Sequence, residues 1–149
     1  MRAFDPDGII LMLGDNDLDF HLMDPVGLAV LIINQAVELR RNVSVPMVVS
    51  LLLARYEGSH PHSRHPFNPL YDQKAATVND SIAREIATGL HQNVTCWKHD
   101  FSHLKCQDKV KHALMRHYFS AKDGVHLNED RQVRLYRLFK LLLRGFRMQ

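Results

Sequence analysis

Length, composition and charge exclude several classes of protein. The chain has 149 residues, of which 46% are hydrophobic, and this suits a single domain with one core rather than a disordered chain. Nineteen Lys and Arg oppose 16 Asp and Glu, and the resulting net charge of +3 permits an anionic partner without requiring one. Two cysteines, Cys96 and Cys106, are too few to stabilise a small secreted domain through disulfide bonds. The chain opens without a signal-peptide pattern, and its apolar runs are shorter than the roughly 18 residues of a membrane span. We therefore expect an intracellular, cytoplasmic protein with no transmembrane segment.

The first 24 residues form an acidic segment that carries six Asp against one Arg. Within this segment, the apolar stretches 9–13 and 18–22 flank the turn-rich residues 14–17. Two apolar stretches around such a turn predict a short N-terminal β-hairpin.

Two apolar helices are predicted to follow. Asp24 before Pro25 is typical of a helix start, and the apolar residues of 25–41 surround most of the helix, as expected for a central buried element. Ser44 before Pro46 predicts a second helix, which ends at Gly58. We expect this helical hairpin to contribute the largest share of the core.

Residues 58–72 are predicted to form a loop, because three prolines in nine residues remove hydrogen-bond donors and disfavour helix. The loop carries His60, His62 and His65, which are candidates for binding a metal or an acidic partner. We favour a solvated surface loop over these functions, since no third or fourth ligand is fixed by the pattern.

Helix is also the predicted state of most of the second half of the chain. Apolar residues recur every three or four positions over 74–91, which indicates an amphipathic helix. Neither Gly nor Pro occurs between Gly89 and Gly124, and this absence favours helix there as well.

A possible zinc-ligand set lies within this stretch. Cys96, His99, His103 and Cys106 form a C-x2-H-x3-H-x2-C pattern, whose ligand types suit tetrahedral zinc. On a continuous helix these residues would extend over about 15 Å, which is too far for one ion. We therefore expect them to pack as part of a helix face, and a zinc site would require the helix to be broken.

Residues 128–149 are predicted to form a basic amphipathic helix capped by Asn128. Its apolar side should pack on the domain, and its basic side is the candidate partner-binding surface. Such a surface suits a phosphate backbone, an acidic protein groove or an anionic membrane surface, although a solvated face is the alternative. The candidate residues are Arg134, Arg137, Lys140, Arg144 and Arg147.

Together these patterns predict a mainly α protein, with one domain over 1–149 that forms a compact bundle of five or six helices. The sequence shows no phosphate-binding loop, H-E-x-x-H or G-x-S-x-G motif, so we expect a noncatalytic protein without a cofactor. The favoured hypothesis is a small regulatory or adaptor protein that binds protein or nucleic acid through its basic C-terminal helix. A nucleic-acid-binding regulator and a zinc-binding adaptor are the alternatives.

Overall fold

The computed structural model describes residues 6–20, 23–43, 45–53, 70–98 and 127–146. In this part of the chain, helices are combined with a three-stranded parallel sheet. The prediction of a mainly α bundle of five or six helices is therefore wrong, and the class is mixed α/β. The strands are β1 (Ile9–Leu11), β2 (Met47–Ser50) and β3 (Val94–Trp97), and the helices are α1 (Asp15–Phe20), α2 (Pro25–Asn42), α3 (Tyr71–Ala87) and α4 (Glu129–Phe146).

The predicted helix after Asp24 is confirmed as α2. The Asp24 carboxylate accepts a hydrogen bond of 2.7 Å from the Gly27 amide, and Pro25 occupies the first turn. However, α2 is not buried all round, because Leu31 is 54% exposed while Ile32 is 4% exposed. The helix covers one face of a sheet instead of lying at the centre of a bundle, and its outer side is left in solvent.

The second predicted helix is replaced by β2. All four residues of Met47–Ser50 are buried, and β2 lies between β1 and β3 in a sheet of order β1–β2–β3. A strand that is buried on both faces has the continuous apolar sequence of a buried helix, so periodicity does not separate the two. Pairing in the parallel register places Val49 opposite Leu11 on one side and Cys96 on the other.

Both helices that connect the strands pack on the same face of the sheet. Met47 and Val49 join the core formed with α2 and α3, whereas the intervening Val48 lies outside that cluster although it is 2% exposed. This alternation is expected because successive side chains of a strand point to opposite faces. The core of the described domain thus lies between the sheet and the α2–α3 pair. The predicted helical hairpin is wrong, because a strand takes the place of its second helix.

The expected N-terminal hairpin is also wrong. Residues 9–11 do form a strand, but the second half of the predicted hairpin starts in α1. The β1 strand pairs in parallel with β2, so its partner comes from a distant part of the sequence instead of from the adjacent stretch. A helix continuous from residue 89 onward is likewise excluded, because Val94–Trp97 form β3.

The helices α3 and α4 agree with the sequence patterns. The buried positions of α3 include Ala75, Val78 and Ile82, although α3 begins at Tyr71, inside the range given to the loop. The Asn128 side chain accepts from the Arg131 amide at 3.1 Å, which confirms the predicted cap of α4. Among the described residues, no helix combines the length and apolar character that crossing a bilayer requires.

We predict opposite responses from two neighbouring residues of α2. Ile32→Ala should lower the free energy of unfolding by about 2–5 kcal/mol, because a buried side chain is lost and a cavity remains. Leu31→Ala should change it by less than about 0.5 kcal/mol, since that side chain is largely exposed. Urea unfolding measures both, and an equal loss at the two positions would contradict the observed orientation of α2.

Candidate functional site

The carboxyl ends of the strands define the first candidate site. In open α/β sheets, ligands bind in the crevice outside the carboxyl ends of the strands, at a point where the strand order reverses. The described sheet has the order β1–β2–β3 without a reversal, so this edge is a candidate because of the residues that follow the strands. Here, β1 is followed by Met12, Leu13 and Gly14, β2 by Leu51, and β3 by Lys98. We refer to the described residues at these three positions, 14–17, 51–53 and 98, as the carboxyl edge.

Gly14 makes the turn from β1 into α1. Its φ of +108° lies in the region that favours glycine, and its carbonyl accepts the first bond of α1 from the Leu18 amide at 3.1 Å. A Cβ at this position would lie 3.0 Å from Ile32 Cδ1 and 3.4 Å from Leu52 Cδ2. Both backbone conformation and space therefore require glycine, and the turn can bring Asp15 and Asn16 close to the end of β2.

Tyr71 connects this turn to the segment that follows β2. The side chain is 1% exposed, and its hydroxyl donates to the Asp15 carboxylate. The same hydroxyl lies 3.3 Å from the Leu53 carbonyl oxygen. A charged acceptor makes a stronger hydrogen bond than a neutral one, so Asp15 is the main partner and Leu53 the second.

Asn79, two turns after Tyr71 on α3, holds the same segment. Its side-chain oxygen accepts from the Leu52 amide at 2.8 Å, and its side-chain nitrogen donates to the Leu52 carbonyl at 3.1 Å. Asn79 is 6% exposed, so its amide needs these partners to avoid the cost of an unpaired buried group. The pair of bonds fixes the backbone immediately after β2, as a neighbouring strand would.

The carboxyl edge is therefore organised by polar side chains that the sequence patterns did not identify as site residues. The sequence marks residues 14–17 as a turn, but it does not show that Tyr71 and Asn79 meet this turn and the end of β2. One signal was present for Asn79, a polar residue next to Val78 on the buried side of α3. At the surface of the edge, Asn16 is exposed and Asp17 is half-buried.

The structure places one member of the predicted zinc set. Cys96 lies in β3 and packs against the core, so the argument from a continuous helix does not apply to it. Burial raises the pKa of the Cys96 thiol, and nearby Lys98 partly opposes that rise. The thiol is thus held in its protonated form, which agrees with a packing role. His99, His103 and Cys106 lie outside the described residues, as do His60, His62 and His65 of the predicted loop.

The described residues bring no three His, Cys, Asp or Glu side chains together in an arrangement that could hold a metal ion. The zinc hypothesis stays a prediction, because His99, His103 and Cys106 lie outside the described ranges.

The basic residues of α4 form the second candidate site. Arg134, Arg137, Lys140 and Arg144 are all exposed, and Arg147 lies outside the described residues. The opposite side of α4 is attached to the domain through Phe139, whose ring centre is 5.1 Å from that of Trp97. The exposed side also carries apolar residues, and the Lys140 ammonium lies 4.5 Å from the centre of the Tyr136 ring. These exposed apolar residues are Val133, Tyr136, Leu141 and Leu143.

The chain matches no protein-family model, and no match was found among curated proteins or solved structures.

We predict that Gly14→Ala lowers the free energy of unfolding by roughly 2–4 kcal/mol, because it adds backbone strain and overpacks Ile32. Gly145→Ala is the matched control, since a Cβ there meets nothing within 4 Å and alanine favours helix. The control should leave stability unchanged or raise it by up to about 1 kcal/mol in the same urea titration. A Gly14→Ala protein as stable as the control would show that the turn is not constrained in this way.

Proposed function

We propose that the chain is a small-molecule-binding α/β domain, whose ligand is a polar molecule bound at the carboxyl edge. The observation that carries the proposal is the network of hydrogen bonds by which two residues of α3 hold the neighbouring segments: Tyr71 bonds to Asp15 and Leu53, and the buried Asn79 bonds to Leu52. Because the three strands are parallel, the segments that follow β1 and β2 lie at the same edge of the sheet, where a ligand could contact both.

The energetics of the network support a positioning role. Buried polar groups contribute little net stability compared with apolar groups of the same shape, but they specify one arrangement when every member is satisfied. In this network the Tyr71 hydroxyl and both polar atoms of the Asn79 side chain have partners. A rigid backbone of this kind lowers the ordering cost of binding, because the loop ends are already in place.

Asn16 is the residue best placed to contact such a ligand. It follows the fixed Asp15 directly and its side chain is exposed. An amide both donates and accepts hydrogen bonds, so it suits hydroxyl or amide groups of a ligand. Asp17 adds a carboxylate one residue further along α1.

This proposal predicts where small polar molecules bind to the full chain. In an NMR titration with a set of polyols, sugars and simple amides, shifts should concentrate at the backbone amides of residues 14–17 and 51–53. Asn16→Ala should weaken the binding of the molecules that produce these shifts by about three- to tenfold, which corresponds to one lost hydrogen bond.

The control for that titration is Asn34→Ala, which removes an exposed amide from α2 and should leave the affinities unchanged. Shifts that avoid the carboxyl edge, or affinities that are the same in the Asn16→Ala and wild-type proteins, would contradict the proposal.

A second function is favoured by the exposed cations of α4. We propose that α4 also binds an anionic macromolecular partner, as expected for a regulatory or adaptor protein. Arg137, Lys140 and Arg144 lie on the side of α4 that faces away from the Phe139–Trp97 contact. Apolar side chains at the margins of this side support an acidic protein partner over nucleic acid, because phosphate contacts do not use them.

The triple change of Arg137, Lys140 and Arg144 to Gln tests this second function. The melting temperature should stay nearly constant, since exposed like charges contribute little to folding. Binding to a polyglutamate peptide should weaken, whereas changing Lys74, Arg84 and Lys98 to Gln, which removes the same charge elsewhere, should not weaken it.

Fluorescence anisotropy at several salt concentrations measures both variants, with a random DNA duplex as the comparison probe. Equal affinity of the two triple variants for polyglutamate would remove α4 as the binding surface. If the affinity for the duplex falls steeply with salt on a log–log plot and the peptide does not bind, the partner is a nucleic acid and not a protein.

A further inference from the structure

A cleft opens at the other end of the sheet, between the last turns of α2 and the loop that joins α3 to β3. Its volume is about 210 Å³. Val37, Leu90 and Val94 give it an apolar lining. Because Val94 is the first residue of β3, the cleft lies at the amino ends of the strands, away from the carboxyl edge.

The polar lining of the cleft is basic. The cleft is lined by Arg40, Arg41, His91 and Gln92, and no acidic residue of the described ranges lines it. Two of the basic groups have carboxylates beside them, since Arg41 pairs with Glu38 at 2.8 Å and His91 Nε2 lies 3.0 Å from Glu85 Oε1. Arg40 is different, because its Nε is buried and has no hydrogen-bond partner among the residues that the structure describes.

A buried donor without an acceptor is uncommon, because burial removes its bonds to water and nothing replaces them. The guanidinium group is planar and always charged, and its fork of donors matches the oxygens of a carboxylate or a phosphate. The carbonyl end of α2 contributes about half a negative charge nearby, which the full charge of Arg40 exceeds. The cleft therefore has, next to apolar side chains, a guanidinium group whose Nε lacks an acceptor in the described part of the chain.

We propose that this cleft binds a small organic anion. Its carboxylate or phosphate head accepts hydrogen bonds from the Arg40 guanidinium, and its apolar part lies against Val37, Leu90 and Val94. The volume is below the roughly 300–1,000 Å³ of pockets for drug-sized ligands, so the anion is small. Arg40 provides specificity for charge, and the apolar lining provides specificity for an organic rather than an inorganic anion.

The test uses benzoate, the neutral isostere benzamide and inorganic phosphate, each titrated into the full chain. Calorimetry measures affinity, and the amide shifts of His91 and Val94 locate the site. Benzoate should bind with shifts at these two residues, and benzamide should bind at least about tenfold more weakly because it lacks the charge. Phosphate should bind more weakly than benzoate, because it has no apolar part to lie against Val37, Leu90 and Val94, and phosphate binding as tight as that of benzoate would contradict the role given to this lining.

Arg40→Met should weaken benzoate binding by about tenfold or more, while the melting temperature stays the same or rises because the unpaired donor is gone. Arg84→Met, which removes an exposed cation from α3, is the control and should leave benzoate affinity unchanged. Arg40→Lys keeps the charge but loses the fork, so it should bind with intermediate affinity, and it replaces the Met variant if that protein does not fold. The proposal is overturned if neither anion binds the wild-type chain, or if the folded Arg40 variant binds benzoate as wild type does.

Discussion

The carboxyl edge depends on the buried side-chain amide of Asn79, which forms hydrogen bonds with both the backbone amide and the backbone carbonyl of Leu52. A side-chain amide has the same donor and acceptor as a peptide group, so α3 provides the pairing that a further strand would otherwise supply. Tyr71, two turns earlier on α3, reaches Asp15 and Leu53. Helix α3 thereby fixes the segments that follow β1 and β2. The turn at Gly14 packs against the segment that Asn79 holds. The candidate ligand site follows from this arrangement, because its backbone is positioned before any ligand arrives.

The parts of the fold that the sequence predicted are those with a local physical cause. The Asp24–Pro25 start of α2, the Asn128 cap of α4 and the stripe of α3 depend on residues within a few positions of one another. The sheet could not be predicted in this way. Strand β2 is four buried residues long, too short for periodicity to show, and the preceding Ser44 and Pro46 also suit a helix start. Its identity is decided by pairing with β1 and β3, which lie far away in the sequence.

The candidate sites also differ in whether the sequence alone could predict them. The exposed cations of α4 follow from helical spacing, so the sequence placed them on one side of the helix. The basic cleft joins α2 to the α3–β3 loop, and the carboxyl edge joins α1, β2 and α3, so both depend on tertiary contacts. Arg40 shows the difference clearly. In the sequence it is a basic residue near a helix end, and its significance appears when Nε is found buried without an acceptor.

The parallel pairing of β1 with β2 also has a kinetic consequence. Ile9 pairs with Met47, so the N-terminal strand gains this partner after 38 further residues have been added and α2 has crossed the sheet. Closing such a loop costs chain entropy before the strand contacts repay it, and folds with distant pairings form slowly. During synthesis, residues 9–11 leave the ribosome before β2 does, because β2 lies 38 positions further along the chain. The acidic residues around this apolar strand would limit its association with other nascent chains during that interval.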